Sequence, residues 1–148
     1  MGIGAPPKGG WTMGMAEMMV TDYASCFEFW TEVLGFDLAF ARSAQKLSCL
    51  QRPEGAQVMI YQRDGDWAVG PLQHPFGRGM AVQNYVDDVA ALEAKVAAAG
   101  VPFYEAPREI WRDWGDRMGG QREFLLQDPD GYLVMIAQRI GERPLSGD

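Results

Sequence analysis

The chain has 148 residues, 47% of them hydrophobic and 22% charged, with a formal net charge of −7. That is the length of one domain with enough apolar material for a core, and 13 Lys and Arg against 20 Asp and Glu speak against a nucleic-acid partner, which requires a basic face. No apolar run approaches the ~20 residues that cross a bilayer, so no membrane partner is expected.

Residues 1–12, MGIGAPPKGGWT, lack the apolar centre of a secretory signal. They read as a short flexible arm on a cytoplasmic protein. A strand follows and ends at Val20-Thr21-Asp22. Asp22 is placed to cap a helix in which Cys26, Phe29, Trp30 and Val33 make one apolar face, and Gly35 terminates it. Cys26 and Cys49 are too few for a disulfide framework and are expected to be reduced and buried.

Residues 50–63, LQRPEGAQVMIYQR, match residues 126–139, LQDPDGYLVMIAQR, at nine of fourteen positions with a constant offset of 76. Each copy reads as a strand, a Pro-acid-Gly turn and a buried Val-Met-Ile strand. Upstream of the second copy, Val86-Asp87-Asp88 precedes a helix with Val89, Leu92 and Val96 on its apolar stripe and Gly100 at its end. Internal repeats decide architecture before other signals do. The expected fold is therefore α+β: tandem βαβββ modules, module one at 13–63, a Gly/Pro-rich linker at 64–79, and module two at 80–139. The tail, 141–148, reads as polar and frayed.

The stretch FWTEVLGF at 29–36 after VTD, and DPDGYLVMI at 128–136, resemble the first helix and the last hairpin of the glyoxalase/bleomycin-resistance/extradiol dioxygenase (vicinal oxygen chelate) superfamily. With the duplicated module, the resemblance covers residues 13–139 and is closest in character to the bleomycin-resistance-like members that lack metal ligands. It implies a curved sheet from each module, a cavity on the concave side, helices outside, and a homodimer. The family's metalloenzymes hold one divalent metal on four strand side chains. Carried over position by position, these become Met15, Met59, Met135 and Ala81, or Met80 if the strand carries a bulge. Thioether and methyl groups are not ligands for hard cations, and His74 is the lone histidine. The resemblance thus implies a chain without that metal and with no other cofactor.

Strand alternation places Met15, Glu17 and Met19 toward the cavity if Met18 and Val20 face the helices. By the same logic Gln83, Tyr85, Met59, Tyr61, Leu133, Met135 and Ala137 face inward. Methionine and tyrosine walls adapt to bulky, flat organic ligands. Glu17, flanked by Met15, Ala16, Met18 and Met19, is a candidate receiver of a ligand cation or a general base; a carboxylate paired with a nearby Arg or Tyr, or simply reaching water at the cavity rim, is the plainer alternative. Residues 107–121, PREIWRDWGDRMGGQ, read as a long loop. Trp111 and Trp114 there are placed to stack on a ligand at the cavity mouth, or else to pack on a partner subunit or on the protein's own surface, with Asp113 and Asp116 adding negative charge.

Two functions compete. The first is a metal-independent small-molecule binding protein of the bleomycin-resistance type that sequesters a bulky aromatic or cationic compound, a role in antibiotic resistance; it needs no catalytic residues, and none is assigned. The ligand-binding set is Glu17, Met15, Met59, Tyr61, Gln83, Tyr85, Met135, Trp111 and Trp114. The second is a lyase, isomerase or dioxygenase of the glyoxalase superfamily acting on a small organic substrate, which the missing ligands argue against. Metal-free acid/base chemistry by Glu17 with Tyr85 or Tyr61 stands as a variant of the enzyme reading.

Overall fold

The computed structural model describes residues 7, 9–63 and 67–145. The first module comprises β1 (Ala16–Val20), α1 (Tyr23–Glu28), a π-helical turn (Phe29–Val33), β2 (Asp37–Arg42), a short 3-10 turn (Ser43–Gln45), β3 (Leu47–Gln51) and β4 (Gln57–Gln62). The second comprises β5 (Ala81–Tyr85), α2 (Val89–Ala98), β6 (Phe103–Asp113), β7 (Met118–Gln127) and β8 (Leu133–Arg143). Their sheets run β1-β4-β3-β2 and β5-β8-β7-β6. In each, the first strand lies parallel to the last and the other neighbours are antiparallel. This is the α+β tandem of βαβββ modules that the repeat predicts.

The helix caps fall where the sequence puts them. Asp22 accepts from the N–H groups of Ala24 and Ser25 at 3.0 and 3.3 Å, and Asp88 from Ala91 at 3.0 Å. Gly35 and Gly100 end the two helical segments with φ of 68° and 69°, a conformation that costs glycine nothing. Both helices pack on one face of the sheets. Cys26, Phe29, Trp30 and Leu34 from the first join Val89, Leu92 and Val96 from the second, with Met18, Val20, Ile60, Val82, Phe124 and Ile136 from the strands, in one core shared by both modules. Burial of this contiguous apolar surface is the main favourable term in folding.

The turns that follow β3 and β7 tie the modules together reciprocally. In the second module's turn, the Asp130 carboxylate accepts from the Thr21 N–H at 2.7 Å and its hydroxyl at 2.5 Å. In the first module's turn, Glu54, held by Arg52 at 2.9 Å, accepts from the Asp87 N–H at 3.1 Å. Each acid thus satisfies the backbone just ahead of the other module's helix. The Tyr132 hydroxyl adds a bond to the Met19 carbonyl at 3.0 Å.

Three expectations are corrected. Residues 107–121 are not a loop: β6 and β7 run through them as a long hairpin. The chain at 141–143 is not frayed, because β8 continues to Arg143 and pairs it with Met118. The arm is not wholly free either. Thr12 donates its N–H to Gln57 at 3.1 Å, and Trp11 packs edge-on against Phe40 at 5.8 Å. Residues 1–6 and 8 of that arm, 64–66 of the linker and 146–148 of the tail lie outside the described residues.

Candidate functional site

The sheet faces turned away from the helices form two concavities that share no lining residue. The first module's face, about 350 Å³, is lined by Trp11, Met15, Glu17, Phe40, Arg42, Leu47, Met59 and Trp67. Glu17 lies opposite Met59 in the β1–β4 register. It is exposed, and among the described residues it makes no ion pair, although Arg42 lines the same wall with its guanidinium 5.6 Å from the Phe40 ring. Met18 and Val20 point into the core as expected. Tyr61 and Met19, paired across β1 and β4, are both nearly buried, and Tyr61 meets Trp67 edge-on at 5.9 Å.

The second module's concavity, about 240 Å³, is lined by Gln83, Tyr85, Arg112, Trp114, Gly119, Gly120, Gln121, Met135 and Arg139. Gln83 lies opposite Met135, repeating the Glu17–Met59 relation. Beneath this surface is a residue that the sequence reading missed. Glu123 on β7 is completely buried and pairs with Arg108 and Arg112, each at 3.3 Å. Gln121 donates its amide N–H to Glu123 and accepts the Tyr85 hydroxyl at 3.0 Å. A buried carboxylate is tolerated only when paired and hydrogen-bonded in this way. The available signal was alternation: Glu123 shares a face with Gln121 and Leu125, opposite the core residues Phe124 and Leu126.

The two tryptophans do not form one platform. A Cβ added to Gly119 would overlap the Trp114 ring, and one added to Gly120 would overlap the Trp111 ring. Adjacent strand residues present opposite faces, so Trp114 covers the concave face and Trp111 the other. There the Arg143 guanidinium lies 4.2 Å from the Trp111 ring centroid. The expected acidic mouth is also spent: Asp113 accepts from the Gly115 N–H at 2.7 Å, and Asp116 pairs with Arg117 at 2.6 Å.

Of the predicted site residues, Met15, Glu17 and Met59 meet in one concavity, and Gln83, Tyr85, Met135 and Trp114 in the other. The pairing of Glu17 with Tyr85 is not formed within the chain. A hard divalent cation does not fit the positions that the resemblance assigns. Met15, Met59 and Met135 offer thioethers and Ala81 a methyl group; the residues facing Met59 and Met135 across the strands add one carboxylate, Glu17, and one amide, Gln83, in separate concavities. Among the described residues, no group of three or more His, Cys, Asp or Glu side chains converges.

A family model described as the Glyoxalase/Bleomycin resistance protein/Dioxygenase superfamily matches residues 12–136. Solved structures share the fold at low identity. A virulence protein from Salmonella typhimurium is 20% identical, with a TM-score of 0.64 over 87% of this chain and 97% of its own. A glyoxalase/bleomycin resistance protein/dioxygenase from Alicyclobacillus acidocaldarius is 19% identical, with a TM-score of 0.60 over 88% and 92%. TioX from Micromonospora sp. ML1 is 20% identical, with a TM-score of 0.61 over 87% and 99%. No curated protein matches the chain.

Proposed function

The chain belongs to the Glyoxalase/Bleomycin resistance protein/Dioxygenase superfamily, and from that premise we propose that it is a metal-independent small-molecule binding protein of the bleomycin-resistance type. It acts as a cytoplasmic homodimer that sequesters a bulky compound with a flat aromatic part. The observation that carries this reading is the lining of the first concavity. Trp11, Phe40 and Trp67 flank Met15 and Met59, with one unpaired carboxylate, Glu17, among them. Aromatic and thioether surface of this kind suits a planar apolar body, and Glu17 is the acid available to a cationic group on it.

What supports a dimer is the openness of both faces. Trp67 and Trp11 remain 67% and 47% exposed, an expensive display of apolar surface for a monomer. A second copy facing its polar concavity to this apolar one would enclose a ligand on both sides.

The test is a calorimetric titration with bleomycin and with neutral and cationic polycyclic aromatics, alongside light scattering. Binding that weakens at least tenfold in a Trp11→Ala/Trp67→Ala variant, on a particle of twice the chain mass, supports the reading. A monomer that binds none of these compounds, or binds them equally well without the two tryptophans, overturns it.

A further inference from the structure

We infer that the second concavity is a subsite for a monoanionic organic acid, an aryl or alkyl carboxylate, held by Arg139 and Arg112. This rests on the reading that the concave faces bind small organic molecules, but it concerns a separate wall and a separate chemistry.

The charged groups that line this concavity are both guanidinium groups. Arg112 is partly committed, sharing the buried Glu123 at 3.3 Å with Arg108. Arg108 in turn also holds Glu105. The neighbouring carboxylates are spent elsewhere. Glu142 and Asp116 at the hairpin tip are held by Arg117 at 2.8 and 2.6 Å, and Glu54 by Arg52. Arg139 is different. Its guanidinium lies 5.3 Å from the Tyr85 ring centroid, and among the described residues no carboxylate reaches it at ion-pair distance. Asp87 and Glu54 line an adjoining concavity that Arg139 also borders, but neither forms an ion pair with it, Glu54 being held by Arg52. An unpaired arginine fork on the wall of a concavity, in a chain of net charge −7, is a local reversal of the protein's own field.

The rest of the wall fits the acid's body and fixes its orientation. Stacking on Tyr85 limits the directions in which Arg139 presents its donors, and a planar fork matches a carboxylate with two parallel hydrogen bonds. Gln83, exposed beside Met135, adds a side-chain amide. The Tyr85 hydroxyl is already donated to Gln121, and Gln121 to Glu123, so the polar floor is rigid before any ligand arrives. Met135 and Trp114 supply apolar contact. One free guanidinium calls for one negative charge. A phosphate monoester, with a charge of about −1.5 to −2 near neutral pH, would be left under-neutralised. The volume of about 240 Å³ lies below the usual ~300–1,000 Å³ of drug-sized sites and suits a single ring system.

The experiment compares four naphthalenes of one shape on the full chain by calorimetry: 2-naphthoate, 2-naphthamide, 2-naphthyl phosphate and 2-(aminomethyl)naphthalene. The naphthoate is expected to bind at least tenfold more tightly than the amide and more tightly than the phosphate or the amine. Arg139→Gln removes that preference, and Arg139→Lys restores part of it. Affinity for the amide stays unchanged in both, which shows that the fold and the apolar wall are intact. Equal binding of naphthoate and naphthamide, a preference that survives Arg139→Gln, tighter binding of the phosphate, or no binding by any of the four overturns the subsite. If bleomycin or a polycyclic aromatic still binds through Trp11 and Trp67 in that event, only this inference fails and the proposed function stands.

Discussion

Asp130 and Thr21, 109 residues apart in the chain, are joined by two hydrogen bonds, one to the Thr21 backbone and one to its side chain. The carboxylate is 1% exposed and also meets the His74 ring nitrogen at 3.3 Å and the Cys26 thiol at 3.5 Å. It is the bolt between the modules. Replacing Asp130 with Ala removes both charge-assisted bonds to Thr21 at once, so a loss of about 2–4 kcal/mol in unfolding free energy is expected. Urea denaturation that shows a loss below about 1 kcal/mol, the scale of one ordinary hydrogen bond, would remove Asp130 from that role.

Asp128, in the same turn, gives the fold a pH dependence. Burial lifts its carboxyl from the ordinary 3.8 to about 6 and the adjacent Asp130 adds to the rise, while the backbone N–H groups of Tyr132 and Asp130 pull it down. A folded pKa above the unfolded one means that the native state keeps a proton which the unfolded chain releases between pH 3.8 and about 6. This contribution is present below that window, falls as pH rises through it, and levels off above. The full shift corresponds to up to about 3 kcal/mol. An Asp128→Asn variant retains an acceptor oxygen for the two backbone bonds and has no proton to lose. On moving from pH 8 to pH 4.5, wild type should therefore gain stability relative to the variant. A wild-type-minus-variant difference that is flat with pH contradicts the shift.

Gly119 and Gly120 give a paired test of the hairpin's two faces. Gly119→Ala pushes the exposed Trp114 ring off the concave face, and Gly120→Ala pushes Trp111 off the opposite one. The first should change affinity for a ligand in the second concavity several-fold with little loss of stability. The second should leave affinity unchanged. Equal effects on binding would place both tryptophans at the ligand.

The repeat made most of the architecture readable, because Pro-Glu-Gly and Pro-Asp-Gly at constant offset leave few alternatives to paired hairpins. It also carried the concave faces: Met59 and Met135 are equivalent and lie opposite Glu17 and Gln83. Residues 107–121 misled because tryptophans beside glycines look like loop chemistry, whereas here Gly119 and Gly120 leave room for rings that lie over a strand. Glu123 was hidden for another reason. Its repeat equivalent is Leu47, which lines the first concavity, so the position could be read but the exchange of an apolar residue for a buried, twice-paired carboxylate could not. That partnership depends on Arg108 and Arg112 across the hairpin, and a residue read as part of a loop has no cross-strand partner.

The two cysteines should be inert in the native state. Burial pushes the Cys49 thiol up to about 11, and burial with the charges of Asp128 and Asp130 pushes Cys26 up as well. Thiolate is the reactive form. A chromogenic disulfide reagent at pH 8 should react slowly with the folded protein and rapidly with two thiols per chain in urea. Fast reaction of either cysteine without denaturant contradicts their burial.

Binding without a metal is tested by calorimetric titration with a polycyclic aromatic before and after exhaustive dialysis against EDTA, with the metal content of each sample determined. Far less than one divalent metal per chain and the same dissociation constant are expected in both samples. One equivalent of zinc, iron, manganese or nickel per chain, or affinity that is lost on dialysis and restored by adding the metal, would contradict it.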